Sequence, residues 1–261
     1  MAENYNFVVR LKKPIKCCTM KRILFLSSFI FVIALCMQCK PKAPEPTQNF
    51  LTGEEIAQGW KLLFDGETFN GWRNFGSDSL IGWKIDSGKL LALGMGGDHA
   101  NDIITVDEYE NFELSLEWKT STGGNSGIFF NAIEDTAVEA IYEIAPEYQI
   151  IDEATWDGDS LTEGQKAAAC YDMYYADTAK TLMPVGEFNV SKIVINNGHV
   201  EHWLNGAKVV EYQMWTAEWD SLKSVRKWKD FPLYGTARKG HIGLQDHGRQ
   251  TWFRNIKIRT L

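Results

Sequence analysis

From Leu51 onward the chain alternates hydrophobic and polar positions with a period of two in many short segments. They are Trp83–Ile85, Leu90–Leu93, Phe112–Trp118, Gly127–Asn131, Glu147–Ile151, Lys192–Ile195, Val200–Leu204, Lys208–Gln213, Gly240–Gln245 and Thr251–Ile258. The cleanest is Phe112-Glu113-Leu114-Ser115-Leu116-Glu117-Trp118, the pattern of a strand with one face buried. Asn196-Asn197-Gly198-His199 and Asn205-Gly206 separate such segments and read as hairpin turns, because Asn-Gly readily adopts positive φ. Many short strands with turn signals between them predict an all-β, two-sheet antiparallel sandwich. Two stretches depart from the alternation. Thr52–Gly59 predicts a short helix, capped by Thr52 with Glu55 three residues on, as in a capping box. Trp215, Trp219, Leu222 and Val225 fall at helical spacing, so Trp215–Lys229 predicts a helical insertion lying outside the sheets.

A different pattern occupies the N-terminus. Residues 23–37, ILFLSSFIFVIALCM, are an apolar run behind Lys21-Arg22, too short to span a bilayer and suited to the core of a secretory signal. Met20 stands just before that basic pair, so residues 1–19 read as an over-extended start and 20–39 as the signal peptide. Cys36 and Cys39 close the run, and a Pro-rich polar tether, 40–50, follows. That arrangement resembles the lipid-modified cysteine of a bacterial lipoprotein, and Cys39 is the preferred site because the tether begins directly after it. Plain secretion with cleavage nearby is the alternative. The expected location is the envelope, membrane-anchored and facing the periplasm or the cell surface. A single domain, 51–261, remains.

Composition narrows the partners. Four of the five cysteines lie in the leader, leaving Cys170 alone in the domain; there is no internal disulfide and no paired-thiolate zinc site. The leader holds six of the 27 Lys/Arg and one of the 34 Asp/Glu, so the remainder is net −12. That charge excludes nucleic acid as a partner and suits neutral sugars or a bound cation. Aromatic content of 13% fits sheets and carbohydrate-facing surfaces. No dinucleotide, P-loop, HExxH or GxSxG signature occurs, so no cofactor is expected. Asp152, Asp157 and Asp159 share one loop and could offer oxygens to a divalent cation, but no metal is expected. Nothing in the sequence specifies an oligomeric state.

Five ordered motifs carry a family resemblance. They are Leu63-Phe64-Asp65-Gly66 with Asn70-Gly71-Trp72; Asn111-Phe112-Glu113-Leu114 with Glu117-Trp118; Gly124-Asn125-Ser126-Gly127-Ile128; Glu147-Tyr148-Gln149-Ile150-Ile151-Asp152; and Gly243-Leu244-Gln245-Asp246-His247-Gly248 with Phe253-Arg254-Asn255-Ile256. Together they resemble the 3-keto-disaccharide hydrolase family. The resemblance implies a jelly roll of the concanavalin A-like lectin/glucanase type, acting on an oligosaccharide or glycoside. It also implies cleavage of 3-keto-glycosides, by C2 proton abstraction with loss of the C1 aglycone or by net hydrolysis. A non-catalytic lectin-like module and an ordinary two-carboxylate glycosidase are the alternatives. In two places the chain departs from the family pattern. Ile128-Phe129-Phe130-Asn131 stands where relatives commonly carry an Arg, and Ala132–Pro146 is longer than usual.

Alternation places Glu147 and Gln149 on one face of their strand, either a solvated face or the lining of a cleft; the resemblance favours the cleft. It likewise implies that Gln245 and His247 face the same surface. Glu147 and His247 are the expected acid–base residues. Asn125, Gln149, Asp152, Gln245, Asp246, Arg249 and Trp118 are expected to bind substrate, although Asp152 and Asp246 also suit turns and any one Trp is as readily core. Trp156 and Trp203 share that ambiguity, and His202 is the least settled of the remaining histidines.

Overall fold

The computed structural model describes residues 48–96 and 101–261; the signal, the tether up to residue 47, both candidate lipidation cysteines and His99 lie outside the described residues. Thirteen strands are found among the described residues. They are β1 (Lys61–Leu62), β2 (Trp72–Asn74), β3 (Trp83–Ile85), β4 (Leu90–Ala92), β5 (Ile103–Thr105), β6 (Phe112–Thr120), β7 (Asn125–Ala132), β8 (Glu147–Ile151), β9 (Asn189–Asn196), β10 (His199–Leu204), β11 (Ala207–Gln213), β12 (His241–Leu244) and β13 (Thr251–Thr260). Every pairing is antiparallel. One sheet runs β11-β10-β9-β6-β13-β4-β3 with β1 also on β13, and the other runs β2-β5-β12-β7-β8. This is the expected two-sheet sandwich.

The large sheet shows why the alternation was legible. Phe112, Leu114, Leu116 and Trp118 are buried, while Glu113 and Glu117 on the other face pair across to Arg259 and Arg254 of β13. Fully burying each such apolar side chain is worth about 1.5–3 kcal/mol, so a one-residue slip in register would forfeit the whole set. Asn197 and Gly198 have φ of 50° and 79°, as a two-residue hairpin turn requires. They bring β10 against β9 with Val200 opposite Ile195.

The two inner faces meet in the main core, where the large sheet's residues pack on Ile128, Phe130, Tyr148, Ile150, Ile242 and Leu244 of the small sheet. The residues alternating with these therefore point out of the sandwich. At one end of that outer face Ile104, Phe129 and Ala132 are covered by Ile141, Ile144 and Ala145, which belong to the long β7–β8 connection and its 3₁₀ turn Ile141–Glu143. At the other end the outer face is polar.

Both helical expectations have counterparts. Gly53–Ala57 is a helix with the full Thr52/Glu55 capping box. The 215–229 stretch contains the helix Ala217–Val225, with Thr216 as its cap, and the 3₁₀ turn Lys227–Asp230. Neither joins a sheet, but Trp219 and Trp228 reach the core in a stack of rings. Tyr174 lies 4.4 Å from Tyr212, Tyr212 5.9 Å from Trp219, Trp219 6.0 Å from Tyr234 and Tyr234 4.0 Å from Trp228, centroid to centroid.

Candidate active site

The polar end of the small sheet's outer face floors a cavity of about 260 Å³. Asp102, Asn125, Tyr142, Glu147, Gln149, Tyr171, Lys227, Gln245 and His247 line it. Strand register explains the convergence. Gly127 of β7 stands opposite Gln149, and Phe129 opposite Glu147. The backbone N–H of Gln245 donates to the Gly127 carbonyl at 3.0 Å. Asn125 of β7, Glu147 and Gln149 of β8 and Gln245, the residue directly after β12, thus come from three adjacent chain segments and share one face, because side chains two apart do so.

Gly127 makes the arrangement possible. A Cβ there would lie 2.7 Å from both Cγ and Cδ of Glu147, so the carboxyl fills the space that any larger residue would occupy. Glu147 is 5% exposed. Burial pushes its carboxyl up, the positive charge of Lys227 pulls it back and the negative charge of Asp102 adds to the rise, leaving it at about 8. Asp102 is also lifted by burial, to about 7, although it accepts the backbone N–H of Asp246 at 3.0 Å. A carboxyl held near neutrality is suited to proton transfer.

Two acceptors in this cavity are buried without a partner, Asn125 Oδ1 and Gln149 Oε1. Gln149 is oriented by its Nε2, which donates to the Gln165 carbonyl at 3.2 Å. Buried polar atoms are ordinarily satisfied, so an unpaired pair of acceptors in one cavity matches a ligand that brings hydroxyl donors.

The sequence profile of the 3-keto-alpha-glucoside-1,2-lyase-like domain matches residues 59–259. The chain belongs to this family. It is 38% identical over 231 residues to the 3-keto-disaccharide hydrolase of Bacteroides thetaiotaomicron, covering 78% of this chain and 79% of that protein. Two crystal structures of candidate glycosyl hydrolases from Parabacteroides distasonis are similar. One has 37% identity and a TM-score of 0.77, covering 82% of this chain and all of that one; the other has 32% identity and a TM-score of 0.60, covering 77% and 99%.

Of the residues expected at the site of this lyase-like domain, the structure brings together Asn125, Glu147, Gln149, Gln245 and His247. The other four lie elsewhere, each for a local reason. Asp152 directly follows β8 and accepts N–H groups of Gly123, Ala154 and Thr155 and the Thr155 hydroxyl. Burial pushes it up, but these hydrogen bonds outweigh the burial and hold it below the usual carboxylate range. Asp246 is fully buried and receives the N–H groups of Gly94, Met95 and Gly96, bracing that loop rather than facing the cavity. Arg249 is exposed and pairs with Asp157 at 2.7 Å. Trp118 is inside the sandwich, its Nε1 donating to Ser191 Oγ, which in turn donates to Tyr148 Oη.

The two further tryptophans are occupied locally. Trp156 donates to the Asp159 carbonyl, and Trp203 lies under the Lys192 ammonium. His202 is a core residue: its Nδ1 faces the Ala168 carbonyl at 2.8 Å, and burial pushes the ring down to about 4.

Asp102, Tyr142, Tyr171 and Lys227 complete the cavity and were not anticipated. Asp102 was within reach: read as a strand, Ile103-Ile104-Thr105 would have put Asp102 and Ile104 on one face. The others come from loops and from the helical insertion, where no local period marks them.

For a metal ion, the described residues offer one trio with ligand atoms within 4.8 Å of one another, His199, Glu201 and Glu211. It lies on the β10–β11 ribbon, and Lys208 already bridges both glutamates.

Proposed function

We propose that the protein is an envelope-anchored enzyme that cleaves 3-keto-glycosides, with Glu147 as the base that removes the C2 proton. The observation that carries this reading is a buried, near-neutral carboxyl in a cavity whose unpaired acceptors suit sugar hydroxyls. A ketone at C3 makes the C2 proton acidic. Glu147 takes that proton, and the C2–H pair forms a C2=C3 bond as the carbonyl π pair moves onto oxygen. The enolate then re-forms its carbonyl, the pair becomes C1=C2, and the C1–O bond breaks. His247, on the same cavity wall, supplies a proton to the departing aglycone oxygen. Adding water across the C1=C2 bond gives the free 3-keto sugar and completes a net hydrolysis. At about 260 Å³ the cavity falls just below the roughly 300–1,000 Å³ usual for small-molecule sites, room for one sugar ring with the aglycone outside.

A second reading has an observation of its own. Asp102 and Glu147 are two carboxyls in one cavity, the equipment of an ordinary glycosidase. Turnover of a 3-keto-disaccharide against its unoxidised parent separates the two. Cleavage of the keto sugar alone is expected. Equal cleavage of both would favour the two-carboxylate mechanism, and tight binding without cleavage of either would mean a lectin. The anchoring part has its own test. Translation from Met20 and lipidation of Cys39 predict a membrane-extracted protein whose intact mass includes the lipid; a lipid-free mature form, or one retaining residues 1–19, would refute it.

A further inference from the structure

We propose that Lys227 is a further catalytic residue, whose ammonium meets the C3 oxygen of the keto sugar and holds the enolate charge. The inference rests on the proton-abstraction reading above and names the group that reading leaves unassigned. As the C2–H pair moves into the C2=C3 bond, a full negative charge develops on the C3 oxygen. That oxygen can only accept hydrogen bonds, and the cavity is rich in acceptors. Asn125 and Gln149 turn unpaired carbonyl oxygens toward it, and one N–H of Gln149 is already given to Gln165. Glu147 and Asp102 are acids. Among the lining residues Lys227 is the one with a permanent positive charge.

The fold aims that charge from outside the sheets. Lys227 opens the 3₁₀ turn that follows the helix Ala217–Val225, and its backbone N–H donates to Asp172 Oδ2 at 3.1 Å. Its neighbour Trp228 is fully buried, stacks on Tyr234 at 4.0 Å and donates its Nε1 to the Tyr171 carbonyl. The ammonium stands at the exposed rim among three rings, 4.8 Å from Tyr142, 5.0 Å from Tyr171 and 4.9 Å from Trp228. Ring faces at such distances attract a cation and take up none of its hydrogen bonds. Among the described residues the ammonium makes no hydrogen bond or ion pair, so its three donors remain available. Its field nevertheless reaches the base, since Lys227 is the charge that opposes the upward shift of Glu147. A positive group that both faces the base and keeps its donors unspent matches an oxyanion that forms only during reaction.

The test uses 3-keto-1,5-anhydroglucitol, a ketone with no leaving group, in deuterated buffer, with deuterium entry at C2 read by NMR. The wild-type protein should exchange that position. Lys227→Met should lower exchange, and kcat on a 3-keto-disaccharide, by about 10²–10³-fold, the usual worth of one oxyanion donor, with a much smaller change in KM. Lys227→Arg should retain much of the rate. Glu147 is faced by Asp102, Cys170, Tyr171, Lys227, Tyr234 and His247, of which Lys227 alone is permanently positive. The acid limb of the pH–rate profile should therefore move to higher pH in the Met variant and stay in place in the Arg variant. That limb reports the field of Lys227 on Glu147 whatever happens at the C3 oxygen, so the oxyanion role is read from the exchange rate on the plateau above it, which a lysine acting only on the base would leave unchanged. Lys227 is exposed, so both variants should melt like the parent; Lys227→Gln replaces the Met variant if they do not. Exchange by the folded Met or Gln variant within about threefold of wild type would overturn the role of Lys227 and leave the proton-abstraction reading intact. No exchange by the wild type would overturn that reading itself. Borohydride trapping of the sugar on Lys227 would overturn the electrostatic role in favour of a covalent one.

Discussion

Replacing Glu147 by Gln separates what the buried carboxyl does to the fold from what it does to the reaction. Burial lifts this group from an ordinary 4.5 to about 8, and each pKa unit is about 1.36 kcal/mol. The ionised form therefore disfavours the folded state by about 3–5 kcal/mol, the lower figure allowing for water in the cavity. The folded value is raised above the unfolded one. Between pH 4.5 and 8 the folded protein consequently holds a proton that the unfolded chain has released, and stability falls as pH rises across that window. Gln has the same shape and cannot ionise. The variant should match the parent near pH 5 and exceed it by about 3–5 kcal/mol at pH 9. At roughly 2–4 °C per kcal/mol for a domain of this size, the melting points should part by some 6–20 °C. Turnover per folded molecule should meanwhile fall about 10²–10⁴-fold. Urea unfolding at pH 5, 7 and 9, paired with a turnover assay on the same samples, measures both. Asp102 is also raised by burial and titrates in both proteins, so the difference between them is the quantity to read. Parallel stability curves across this range would refute the reasoning, and undiminished turnover in a folded variant would remove Glu147 from the chemistry.

Gly127→Ala should lower turnover by about 10²-fold, because the new methyl displaces the Glu147 carboxyl, and overpacking should cost about 1–3 kcal/mol of stability; kcat and a melt check both. His247→Asn should reduce turnover as well. If His247 and Glu147 act as a unit, the double variant should be little worse than the worse single one, whereas multiplying losses would show independent roles. Arg249→Ala breaks an exposed pair with Asp157, worth at most about 1 kcal/mol, and should leave kcat and KM near wild type; a tenfold rise in KM would place Arg249 at the substrate after all.

The alternation in Phe112–Trp118 and Glu147–Ile151 was enough to specify strands, because one wet and one dry face impose a period of two directly on the residues. The Asn197-Gly198 turn was legible for a similar reason: few residues accept its positive φ. β1, β2 and β5 were not read from their pattern, although β3 and β4 are no longer than β2 and β5 and were; two or three residues carry too little of a period to decide either way. The site divided along the same line. Glu147 and Gln149 stood in a strand-like segment whose shared face could be read on paper, whereas Asn125, after two glycines, read equally as part of a tight loop and begins β7 in the structure. Asp152 and Asp246 belonged to the same motifs, yet spend their carboxylates on the backbone of the loops beside them.

By itself, then, the sequence determined the sandwich, its turns and the strand that carries the central carboxyl, since each of these is enforced by neighbours a few residues apart. Tertiary structure decided the rest. The value of the Glu147 carboxyl depends on burial against Gly127, whose strand lies beside its own only once the sheet has formed. The positive charge facing it arrives from Lys227, 80 positions away, held in place by rings drawn from several segments. Burial and charge act through space rather than along the chain, so no local period records them.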